Sequence, residues 1–166
     1  MFGFACSHIT SDDTFWQLQS GRYIVESRTI VKTDLFTLAV EAPRIEHCWL
    51  HDVILFLTFK AFHYKGISVL VGILVVATAI ILITAARLSG ASFASILLIT
   101  LPAILLTHWA WLARPQLWSF LFFAVFILLI ERYRRQADNK IYLLALLMIL
   151  WSNLHAGAML AFPILG

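Results

Sequence analysis

GISVLVGILVVATAIILITAA, residues 66–86, carries no charge through about six turns of helix. A hydrocarbon core of ~30 Å is spanned by ~20 mostly apolar helical residues, so this stretch is read as a membrane span. The rest of the chain arranges itself around it. Downstream to Gly166 the sequence is a series of apolar runs separated by short punctuations, the densest being Glu131-Arg132-Tyr133-Arg134-Arg135 continuing to Lys140. Upstream, residues 1–65 hold most of the acids and both cysteines.

The spacing predicts four spans, at about 66–87, 91–112, 116–131 and 141–166. Pro102 falls inside the second, where a membrane helix tolerates it. The last is interrupted by Asn153, His155 and Gly157. Residues 48–63 (CWLHDVILFLTFKAFH) are apolar but include Asp52, Lys60 and two histidines, which suits a helix lying at the interface. Residues 10–27 carry helix-start features: Thr10 or Ser11 as cap, Asp12 and Asp13 in the first turn, and Gly21 as a stop. The expected fold is therefore all-α, a polytopic membrane helix bundle of about four to five spans. An external, partly helical juxtamembrane segment (1–65) precedes it.

Composition agrees. The chain is 61% hydrophobic and 13% charged, against ~25% charged in soluble domains. The net charge of +3 does not point to nucleic acid, because the excess of bases follows Gly66 and gathers in one loop. Lysines and arginines concentrate on the cytoplasmic side of membrane proteins. Arg132, Arg134, Arg135 and Lys140 thus mark that side; alternation adds Arg87 to it and places Arg114 and residues 1–65 outside. Trp109, Trp111 and Trp118 surround the outer turn, where an aromatic belt is expected. A bacterial cytoplasmic membrane location, multi-pass with residues 1–65 external, follows as the expectation.

Chemistry-bearing residues lie outside the spans. A carboxylate beside an aromatic at the membrane surface can serve as a general base when desolvation raises its pKa. Asp13 before Thr14-Phe15-Trp16, and Asp34 before Leu35-Phe36-Thr37, fit that description; helix-start electrostatics and a turn fit them as well. Arg114 suits a phosphate or pyrophosphate clamp or a snorkelling interfacial arginine. His47, Cys48 and His51 supply too few ligands for a zinc site. Nothing in the spacing of Cys6 and Cys48 requires them to pair, and free thiols are the expectation. The spans lack the midplane charges typical of ion-coupled transporters.

The order of several motifs resembles a known class. Asp13-Thr-Phe-Trp16, Leu18 and Gly21-Arg22-Tyr-Ile24 are followed by Asp34-Leu-Phe36-Thr37 and His47-Cys-Trp49-Leu50. Arg114-Pro115-Gln116 then opens a span, and Leu150-Trp151-Ser-Asn153-Leu-His155-Ala-Gly157 lies near the end. Together these resemble the N-terminal part of a bacterial multi-span family related to the GT-C class of glycosyltransferases, which use polyprenyl-phosphate sugars. The resemblance implies a catalytic acid in the first external loop, matched by Asp13. It implies donor phosphate contacts in the second, matched by Arg114, and a divalent cation or basic residues near that phosphate. Asp34, His47, Trp49, Asn153 and His155 match the pattern as expected substrate- or phosphate-site positions. Departures occur at Ser11, Gln17, Cys48 and Ala156, where such proteins often carry an acid, a histidine, an acid and a glycine. They also have a span before the first loop and several more beyond, so the expectation is a truncated part of a larger enzyme. The alternative is a small non-catalytic membrane protein that packs against a protein partner in an assembly.

Overall fold

The computed structural model describes residues 13–32, 46–107, 110–136 and 139–161. Every regular element among them is helical. Five α-helices occur: α1 (Asp13–Ser27), α2 (Trp49–Leu88), α3 (Phe93–Thr107), α4 (Gln116–Gln136) and α5 (Leu143–Leu154). Short 3-10 turns at Asn139–Tyr142 and Ala156–Ala161 flank α5. Two helices, α2 and α4, are long and apolar enough to cross a membrane.

The 40-residue α2 is not one rod. His63 has φ 54° and ψ −154°, a left-handed region that costs a non-glycine residue on the order of 1–3 kcal/mol. The bend lets Leu55 and Ile67 share one core cluster, although a straight helix would hold them ~18 Å apart. The 49–62 arm turns away from the 64–88 arm. The second arm ends at Gly90, whose φ of 86° is open to glycine. There Ala91 N–H donates back to Ala86 O at 3.0 Å, closing the helix end.

Two contacts fix the direction of the second arm against α4. Leu74 and Val75 share a core with Leu117, and further along the Ser89 hydroxyl meets the Glu131 carboxylate. The arm and α4 run parallel. Helix α5 runs the opposite way. Trp151 stacks on Phe122 at 5.9 Å and meets Phe126 edge-on at 5.5 Å, while Leu144 joins Leu129 in the same cluster. One end of the bundle therefore gathers residues 111–119, 151–158 and the 49–62 arm. The other gathers Ser89, Glu131 and Arg135.

Several sequence expectations are corrected. Gly21 does not stop α1, which continues to Ser27. Instead a Cβ at Gly21 would overlap the Asp52 backbone carbonyl, so the glycine lets α1 lie directly on α2. The expected second span at 91–112 is a 15-residue helix ending at Thr107, ~22 Å long; Ala110 to Pro115 are not α-helical. The third extends past 131 to Gln136. The continuity of the fourth was open at Asn153, His155 and Gly157, and there it breaks: α5 ends at Leu154, and His155 is extended (φ −161°, ψ 140°). The aromatic belt is also revised. Trp111 is buried in the core and the Trp118 indole is engaged by a histidine; Trp109 lies outside the described residues.

Candidate functional site

Helix α1 brings Asp13 to the bundle end where α4 begins. Its first turn lies beside the loop that precedes α4, and Arg114 reaches Asp13 at 2.9 Å between Nη2 and Oδ2. The Trp16 indole N–H donates to the other carboxylate oxygen, Oδ1, at 3.2 Å. The acid thus sits between a guanidinium and an indole, with both side chains of the ion pair about 40% exposed. Two residues proposed separately from the sequence, and a hundred positions apart, are direct partners.

A second polar group forms where the 49–62 arm crosses the ends of α4 and α5. Trp49 Nε1 donates to Asn153 Oδ1 at 2.9 Å, and the Asn153 amide donates to Ile149 O at 2.7 Å. Trp118 Nε1 donates to His51 Nδ1 at 3.0 Å. Trp151 Nε1 donates to Ser119 Oγ at 2.8 Å, and Ser119 Oγ lies 2.6 Å from His155 Nδ1. Gly157 N–H also donates to His155 Nδ1, at 3.0 Å. An atom that accepts from a backbone N–H carries no proton of its own. His155 therefore holds its proton on Nε2, and the Ser119 hydroxyl donates to Nδ1. Burial, and then the charge of nearby His47, holds His155 below its ordinary value of 6.5. It is neutral at neutral pH.

His47 and His51 do not converge. His51 is buried and His47 exposed, as expected of residues facing different surroundings at the start of a helix. Between them, Cys48 is a free thiol pushed up to about 11 by burial and by the charges of Asp52 and Glu46. A thiol held protonated is neither nucleophile nor metal ligand. Among the described residues no group of three His, Cys, Asp or Glu side chains is placed to hold a metal ion. Arg114 and the Trp16 indole already hold the two Asp13 oxygens, so among the described residues no ligand set fits the divalent cation that the resemblance implies.

Asp34 and Cys6 lie outside the described residues. Of the remaining expected site residues, Asp13 and Arg114 form one pair, Trp49 and Asn153 another, and His155 joins Ser119. Ser119, Trp151 and the inward turn of Trp118 escape sequence reasoning. The one local signal was the spacing of Trp151 and His155, four apart and hence on one helical face; their shared partner Ser119 comes from a different helix.

Comparisons of the chain with models of protein families, with curated proteins and with solved structures give no match.

Proposed function

We propose that the chain is a multi-span membrane protein whose external end carries a glycosyl-transfer site of the GT-C kind, acting on a lipid-phosphate-linked sugar. The observation that carries this reading is the Asp13–Arg114 contact. A general base and a phosphate-binding guanidinium within one hydrogen bond of each other suit attack by a hydroxyl on the anomeric carbon of a sugar phosphate. Asp13 Oδ1 or Oδ2 takes the proton of the acceptor hydroxyl. The oxygen bonds to the anomeric carbon as the carbon–oxygen bond to the lipid phosphate breaks. Arg114 meets the charge that develops on the departing phosphate, where a guanidinium hydrogen-bonds two oxygens at once.

Topology supports the same reading. With α2's second arm and α4 parallel and α5 returning, the Asp13–Arg114 end lies opposite Arg132, Arg134 and Arg135, which the positive-inside rule assigns to the cytoplasm. In a bacterial inner membrane the site then faces outward, with α3 and α5 completing four spans. The test is transfer from a polyprenyl-phosphate sugar by the complete protein. Asp13→Asn loses transfer by about 10²-fold or more while retaining donor binding, and Arg114→Gln weakens donor binding as well. Undiminished transfer by Asp13→Asn overturns the proposal.

A second reading, a non-catalytic subunit of a membrane assembly, is favoured by α3. Leu98, Ile99 and Leu106 are at least 70% exposed, and an apolar cavity of about 710 Å³ opens between α3, α2 and α4. A protein partner covering this flank would co-purify with the chain and be lost on Ala103→Trp, which fills the cavity wall. Full transfer activity by the isolated enzyme decides against it.

A further inference from the structure

Beside the Asp13–Arg114 pair lies a separate pocket of about 340 Å³. Its walls are five aromatic rings: Phe15 and Trp16 from α1, Phe56 and Phe59 from the first arm of α2, and Tyr64 just past the bend. Phe59 and Tyr64 meet at 66° with centroids 4.9 Å apart, so they form two walls of a concavity and not one flat platform. The bend at His63 is what brings Tyr64 back against Phe59. The polar groups of the lining are Gln19, Arg22, the Tyr64 hydroxyl and the Trp16 indole N–H, the last already given to Asp13.

That lining selects a chemistry. A saccharide brings many hydroxyls, each needing a partner on leaving water, and Gln19, Arg22 and the Tyr64 hydroxyl are few for them. A quaternary ammonium has no N–H to satisfy. Its methyl groups bury against rings while its charge is drawn to their faces, which is how aromatic cages bind such ions. Two of the charges nearby are closed into pairs: Asp13 with Arg114, and Arg22 Nε with Glu26 at 2.9 Å. The lining itself carries one cation, Arg22, which a zwitterion meets with its own anion. Arg22 is 57% exposed at the side chain and its terminal nitrogens remain to meet an anion at the rim. The expected position of the pocket, at the start of the first span, is the level of lipid headgroups.

We infer that this pocket binds a phosphocholine group, the trimethylammonium among the five rings and the phosphate on Arg22. The inference goes beyond the glycosyl-transfer reading and does not rest on it.

Calorimetric titration of the full chain in a maltoside detergent, which contains no choline, tests it. Phosphocholine binds, and phosphoethanolamine, inorganic phosphate and glucose each bind at least about tenfold more weakly. The rim variants Phe15→Leu and Tyr64→Leu remove largely exposed rings, leave the helical signal unchanged, and weaken phosphocholine about threefold each. Arg22→Gln weakens phosphocholine but leaves tetramethylammonium binding unchanged, assigning the guanidinium to the phosphate. A repeat in vesicles separates the two sources of the group. Phosphatidylcholine, but not phosphatidylglycerol, suppresses soluble phosphocholine binding when the bilayer headgroup is the occupant. Suppression by neither lipid identifies a soluble phosphocholine compound, and equal suppression by both overturns the inference. The inference is overturned if phosphoethanolamine or glucose binds as tightly as phosphocholine, or if neither ring variant changes the affinity.

Discussion

Helix α3 and the α4–α5 pair are both built from leucine, isoleucine and phenylalanine, yet they end in opposite surroundings. Phe126 and Trp151 are fully buried between α4 and α5, while Leu98 and Leu106 of α3 are more than 70% exposed. Helix α3 also makes few contacts with the rest of the protein. Apolarity alone does not pull helices together in lipid, because the lipid is as apolar as the leucine. Shape fit and interhelical hydrogen bonds do, and α4–α5 has both. Its tryptophan fills the seam, and the Trp151–Ser119–His155 chain ties the helix ends. Among the described residues the hydroxyl bonds of α3 stay local: Ser92 and Ser95 bond each other at its start, and Thr107 donates to Ala103 O.

The contrast can be broken most severely at Trp151. Trp151→Ala removes the stacked indole and the Ser119 bond together, and is expected to cost about 3–5 kcal/mol in detergent unfolding. Gly21→Ala forces a methyl against the Asp52 carbonyl where α1 lies on α2. Overpacking of this kind costs about 1–3 kcal/mol, read as a lower unfolding midpoint together with loss of the Asp13–Arg114 pair. The polar end responds to pH while the α3 flank does not. The folded state holds His155 below 6.5, so beneath that pH the unfolded chain binds more protons. Stability is then flat above pH 6.5 and declines as pH falls from it towards the lowered folded value. Unfolding midpoints measured down to about pH 5 show this slope in the wild type, and His155→Gln reduces it.

Smaller effects test the surface. Asp13→Asn breaks an ion pair whose side chains are about 40% exposed, which costs at most about 1 kcal/mol of stability while removing the proposed base. Leu98→Ala on the outer face of α3 is expected to stay within about 0.5 kcal/mol. A large loss there would show that α3 is covered, and would move it to the same class as α4–α5.

The two regions were unequally legible. Apolar runs without charge marked where α2's second arm and α4 run, since length and hydropathy are local properties. The interfacial helix read at 48–63 and the span read from 66 left a gap between them, and the backbone turns at His63. The extents of α3 and α5 were overestimated because composition continues past the last helical residue: Trp111 and Ala113 are as apolar as Leu105 but lie in an irregular loop. Asp13 and Arg114 were each visible as a charged residue at a polar end; their contact was not, because no local pattern links residues so far apart. The four-residue gap of His47 and His51 was the one metal-like spacing, and burial separates the two.

Residue order alone determined that this protein is helical, that α2 and α4 have the length and apolarity of spans, and which end of the chain holds the acids. Those properties depend on runs of neighbours along one strand of sequence. Which tryptophan N–H meets which acceptor, which leucines are covered, and that an aspartate near the start touches an arginine two-thirds of the way along were decided only by the folded chain. A bend at one histidine and the parallel docking of two helices bring these groups within hydrogen-bond reach, where distance, unlike sequence separation, sets the energy.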